Sequence, residues 1–81
     1  MTLPENIDQE KLAEAALAIL SLASFEDAGV IRAWKGMEWD LLAVLHQKGW
    51  IGDPVGKQKS VTFTEEGQEL AIAFLEKHFG K

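Results

Sequence analysis

Gly52-Asp53-Pro54-Val55-Gly56-Lys57-Gln58-Lys59-Ser60 is the stretch whose residue types come nearest to a chemical site. Glycines followed by Lys and Ser can cradle phosphate in a P-loop. That motif needs four residues between its glycines, Ser or Thr directly after Lys, and a strand running into a helix. Here three residues separate the glycines, and Ser60 lies three places after Lys57. The chain beyond reads as a strand. Phosphate binding of the P-loop kind is therefore not expected. What remains is a turn tipped by Lys57, Gln58 and Lys59. It is either a hairpin tip kept in water by its lysines or a set of contacts to nucleic-acid phosphates.

The other reactive residue types are scattered. His46 and His78 stand 32 residues apart, outside any two-His helical pair, in a chain without Cys. A metal centre is not expected from that spacing. Ser21 and Ser24 sit in an Ala- and Leu-rich run with no glycine elbow to present a nucleophile. Glu38 and Asp40, two apart on a predicted helix, point to different sides and cannot pair as acid and base. No catalytic residue, metal or cofactor is expected, and the chain does not read as an enzyme. Trp34, Trp39 and Trp50 crowd the middle segment. Trp39 is expected in the core. Trp34 and Trp50 are candidates for an aromatic interaction patch, with core packing as the alternative.

The elements that must position these residues follow from periodicity and punctuation. A first helix is predicted from near Asn6 to about Ser24, with Asn6 as its cap and Gln9 placed to reach back. Leu12, Ala16, Ile19, Leu20 and Ala23 form one stripe. Ala13, Leu17 and Leu22 lie off it, so the helix has more than one apolar side. Glu26-Asp27-Ala28-Gly29 breaks the helix. Val30 to Trp34 is a short strand or a loop. A second helix runs from Met37 or Glu38 to Lys48, with Leu41, Leu42 and Leu45 inward, and Gly49 supplies a left-handed stop. Trp50-Ile51 opens a strand, and residues 52–56 turn the chain. Ser60 to Phe63 returns as a strand with Val61 and Phe63 on one face. Thr64 caps a last helix, where Glu65 and Glu66 suit the positive end. Leu70, Ala71, Phe74, Leu75 and His78 share one side of it, with Ile72 and Phe79 partly elsewhere.

Composition bounds the rest. Eighty-one residues make one small domain, 47% of them apolar, with three Trp and four Phe. Such a chain has a marginal core. Either that core is dense or a second copy covers apolar surface, and a homodimer is expected. The absence of Cys and of a secretory leader fits a cytoplasmic home. No stretch is long and apolar enough to span a membrane. The net charge of −5 disfavours nucleic acid as a partner. The charge is uneven, however. It is −5 over residues 1–27, +2 over residues 28–61, where Arg32, Lys35, Lys48, Lys57 and Lys59 lie, and −2 over residues 62–81.

The run Trp34-Lys35-Gly36, Trp39-Asp40, Leu45-His46, Lys48-Gly49, Asp53-Pro54-Val55-Gly56-Lys57, Lys59-Ser60 and Thr64-Glu65-Glu66-Gly67 resembles a family of small bacterial proteins of unknown function. The resemblance covers roughly residues 9–80, and the Asp-Pro-Val-Gly-Lys turn is its most specific element. It implies no activity and no ligand, so no site residue comes with it. More loosely, the helix-strand-basic turn-strand-helix order looks like a winged helix. Winged-helix regulators place two helices between the first strand and the wing, and this chain has room for one. The expected fold is therefore α+β, a single abbreviated winged-helix-like domain over residues 1–81, in the order α, short β, α, β-hairpin, α. A self-associating protein-interaction module is the leading functional expectation. A dimeric winged-helix DNA-binding regulator is the second, ranked lower because Glu38 and Asp40 would meet phosphate at the reading end of the second helix.

Overall fold

Helix α1 spans Gln9–Leu22. The structure, a computed structural model, describes residues 3–81. Asp8 rather than Asn6 caps α1, its carboxylate accepting the Lys11 N–H at 3.1 Å. A full negative charge answers the positive helix end better than an amide does, and the start moves accordingly. Ala13, Ala16, Leu17 and Leu20 of α1 enter the core, whereas Ile19 and Leu22 face solvent. The predicted stripe was thus rotated: Leu17 belongs to the core and Ile19 does not. A helix apolar on several sides gives no periodic signal for which side its neighbours will cover.

The segment expected to break the helix is itself a strand. β1, Phe25–Asp27, pairs antiparallel with β2, Val30–Trp34, in the register Phe25↔Arg32 and Asp27↔Val30. Ala28 and Gly29 join them, both at positive φ (54° and 83°). Two such residues in a row make the tight turn whose twist matches paired strands. Ala in that conformation hid the hairpin from a reading based on turn residues.

Helix α2, Trp39–Gln47, is capped by Glu38, whose carboxylate accepts from the Asp40 and Leu41 amides at 2.8 and 3.2 Å. Leu41, Leu42 and Leu45 are buried as predicted. Gly49 stops the helix at φ 78°. The chain then crosses the core at Trp50 and Ile51. Ile51 makes only a single bridge, to Phe63, in place of the expected strand. β3, Ser60–Thr62, pairs mainly with β2 through Ala33↔Val61 and Trp34↔Ser60, giving the order β1-β2-β3. Residues 53–59 therefore loop out between the Ile51 bridge and β3, a position compatible with a wing. The fold is α+β, with three helices and a three-stranded antiparallel sheet among the described residues.

Helix α3, Glu65–Phe79, begins at Thr64, whose hydroxyl donates to the Gly49 carbonyl at 2.7 Å and accepts the Gly67 N–H at 2.9 Å. Thr64 N–H also donates to the Trp50 carbonyl at 3.1 Å. Gly67 lies against that same peptide. A methyl group there would run into the Trp50 carbonyl oxygen and come within 2.8 Å of its carbon. At the other end of α3, Glu14 of α1 accepts from Lys77 and His78, both at 2.8 Å. The Lys77 hydrogen bond first, then that of His78, holds the Glu14 carboxyl below its ordinary value, against the opposing effect of burial. Lys48 pairs with Glu10 at 2.6 Å across α2 and α1.

Two outcomes follow from these contacts. Gly67→Ala is expected to lower stability by about 1–3 kcal/mol, the cost of forcing extra volume against packed backbone. Gly36→Ala, with open space around it, should stay within roughly 0.5 kcal/mol of the parent. Urea unfolding of both measures the contrast, and equal midpoints would contradict it. For Glu14, a folded-state value below the unfolded one means stabilisation that is present above the unfolded value and lost as pH falls through the folded value. The stability gap between parent and Glu14→Gln should therefore be wider at neutral pH than at about pH 3. A gap independent of pH would show that the clamp carries no charge.

Candidate functional site on the open sheet face

Side chains alternate across a strand, and cross-strand partners share a face. Ala33, Val61 and Phe63 are buried on the inner face, over the helices. Val30, Arg32 and Trp34 of β2, Phe25 and Asp27 of β1, and Ser60 and Thr62 of β3 consequently line the outer face. Antiparallel sheets often leave one face in water, and such a face is normally polar. Here it carries Trp34, 59% exposed, with Phe25 tilted against it at 5.3 Å between ring centroids.

At Arg32 and Lys35, which flank Trp34 in sequence, lies a cleft of about 300 Å³ between the sheet and the 53–59 loop. Its cations are Arg32, Lys35 and Lys57, and Asp53 is its acidic residue. Arg32 fixes the loop to the sheet. Its Nε donates to the Ser60 hydroxyl at 2.8 Å, and its Nη2 to the Gln58 side chain and the Ser60 carbonyl. The Lys35 N–H donates to the Lys59 carbonyl at 2.9 Å. Asp53 accepts the Val55 N–H at 2.9 Å, tightening the turn after Gly52.

The predicted loop residues occupy distinct positions. Lys57 lines the cleft, Gln58 is engaged by Arg32, and Lys59 is exposed where its backbone meets Lys35. The two candidate patch tryptophans are not brought together. Trp50 is only 8% exposed, stacked near Phe74 at 5.3 Å and beneath Lys48. Trp39, expected in the core, is 57% exposed at the first turn of α2, with the Lys35 ammonium 5.7 Å from its ring. The three leucines of α2 take the core side and leave Trp39 outside. Arg32 and Lys35 were visible only as parts of a mildly basic middle segment. Their spacing on either side of Trp34 was the signal that could have drawn them in.

His46 is exposed, with Nδ1 3.1 Å from the Ile51 carbonyl oxygen. His78 is half-buried in the Glu14 clamp. Ser21 donates to the Ala18 carbonyl within its own helix at 2.6 Å. No described helix is long and apolar enough to cross a membrane.

A family model described as a domain of unknown function, DUF6429, matches residues 8–81. An uncharacterized protein of Sinorhizobium fredii, y4hR, is 43% identical over 61 residues, which are 75% of this chain and 78% of that relative. No solved structure matches.

The placement of the three tryptophans sets an optical test. Replacing Trp34 and Trp39 together by Phe should leave blue-shifted emission from Trp50 that acrylamide quenches poorly. Trp50→Phe should leave red-shifted emission quenched readily. Equal quenching of the two variants would contradict the arrangement.

Proposed function

Starting from the fact that the chain belongs to the DUF6429 family of unknown function, we propose that it is a non-catalytic module that acts by associating with a second copy of itself. The observation that carries this reading is the apolar outer surface of α1 and α3. Leu22 is 69% exposed and Ile72 66%, with Ile19 and Phe79 also more than half exposed. Between the helices lies a depression of about 260 Å³, with Ile31, Phe63 and Ala71 in its lining and Ser21, Ser24 and Ile72 around them. A second observation agrees. The accessible surface is 5470 Å² for 9.0 kDa, about 600 Å² above the roughly 4,900 Å² of a monomer of that mass. A standard interface hides about 800 Å² per partner. In a two-fold dimer the same patch serves both partners, so Leu22 and Ile72 would each be covered twice. Each side chain so buried contributes about 1.5–3 kcal/mol before association costs.

A second reading, a dimeric winged-helix protein on duplex DNA, is favoured by Lys57 and Lys59 standing exposed on the loop after Ile51. It ranks lower. The N-terminus of α2, where base contacts would be made, holds Glu38 and the exposed Asp40.

Sedimentation equilibrium tests the first reading. The parent is expected at about twice 9.0 kDa at micromolar concentration. Leu22→Asp and Ile72→Asp should each shift it toward a single chain with helical content retained. A parent that stays a single chain at every concentration overturns the proposal.

A further inference from the structure

At the outer face of the sheet and the nearby start of α2, two tryptophans are more than half exposed, Trp34 on β2 and Trp39 on α2, and each has a cation close by. Arg32 and Trp34 lie on one face of β2, two residues and about 6.6 Å apart. The Lys35 ammonium lies over the ring of Trp39 and also lines the cleft with Arg32 and Lys57. Phe25 backs Trp34 on one side, which fixes the indole and leaves its remaining surface open. Arg32 is held by Ser60 and Gln58, so neither member of the pair must be ordered on binding.

We propose that this face, together with the start of α2 that Lys35 joins to it, binds single-stranded nucleic acid, with bases stacking on Trp34 and Trp39 and phosphates held along Arg32, Lys35 and Lys57. The chemistry favours this ligand class in three ways. Exposed indoles offer stacking to any unpaired base, and a positively charged groove tracks the backbone. The bases of a duplex are stacked on one another and cannot use Trp34 or Trp39. The charge is also local: residues 28–61 carry a net +2 within a chain of −5. The acidic groups facing this surface are few. Glu38 is committed to the α2 amides, and Asp53 to the Val55 N–H. Asp27, paired with Val30 at the hairpin end of this face, and Asp40, exposed beside Trp39 in sequence, are the remaining opposing charges and limit the affinity.

Fluorescence anisotropy of a labelled oligodeoxythymidylate of about 12 nucleotides, titrated with the full chain at low salt, tests the proposal. Micromolar binding is expected. Trp34→Ala and Trp39→Ala should each weaken it by about 5-fold or more. The double variant Lys35→Ala, Lys57→Ala should lower the slope of log affinity against log salt by up to about 1.4. The emission of buried Trp50 reports that each variant is folded. Leu22→Asp should bind like the parent, which separates this surface from the dimer contact. Three results would overturn the idea. One is no binding. Another is equal or tighter binding of a duplex of the same length. The third is equal binding of a strand without bases, which would leave only a charge contact.

Discussion

The close approach of α3 to the Trp50 peptide is the constraint on which most of this structure rests. Thr64 donates twice to the backbone at Gly49 and Trp50, through its hydroxyl and its amide, and caps the helix with the same hydroxyl. Gly67, one turn on, lies where any side chain would strike the Trp50 carbonyl. The contact joins the end of α2 to the start of α3. It also fixes the direction in which Trp50 enters the core, against Phe74. Gly49, at φ 78°, makes the turn that brings that carbonyl into place. A helix N-terminus has free N–H groups, and the segment just after the end of α2 has free carbonyls. Bringing the two together satisfies both with one hydroxyl and requires no larger side chain.

Everything inside that junction is small. The core consists of one side of α1, the three leucines of α2, the inner sheet residues and a stripe of α3. Among the described residues none that is buried is polar or charged. The polar ties lie at the rim, where Glu14 meets Lys77 and His78, and Glu10 meets Lys48. Such rim pairs add little stability singly, because water screens them. α1 and α3 bury one side each, and their remaining apolar residues stay on the surface. No described element covers them.

The sheet is placed under the same limit. Its inner face packs on the helices, and no described element covers its outer face. A bare outer face would ordinarily be polar. Here it holds Phe25, Trp34 and Arg32, and the loop after Gly52 curls over one end to form the cleft. Arg32 does structural work in holding Gln58 and Ser60. The same bonds hold its charge at the cleft edge.

Much of the scaffold was legible in the residues. Gly49 as a left-handed stop, Thr64 as a cap, the Leu41-Leu42-Leu45 core side and the inward pair Val61 and Phe63 each follow from local stereochemistry or strict periodicity. These are properties of short stretches, and the surrounding chain does not alter them. The resemblance over residues 9–80 likewise rested on sequence motifs, and the family match over residues 8–81 agrees with it. Tertiary structure decided what depends on neighbours. The hairpin at Ala28-Gly29 was hidden because Ala takes a backbone shape that pairing, not propensity, imposes. The partner of β3 is β2 rather than the nearer Ile51 segment, since register is chosen by which inner faces pack together. Trp39, expected in the core, came to the surface, and Trp50, open between patch and core, went to the core for the same reason. An indole is equally suited to core and surface, and only the packing of α2 and α3 settles which side of each helix meets water.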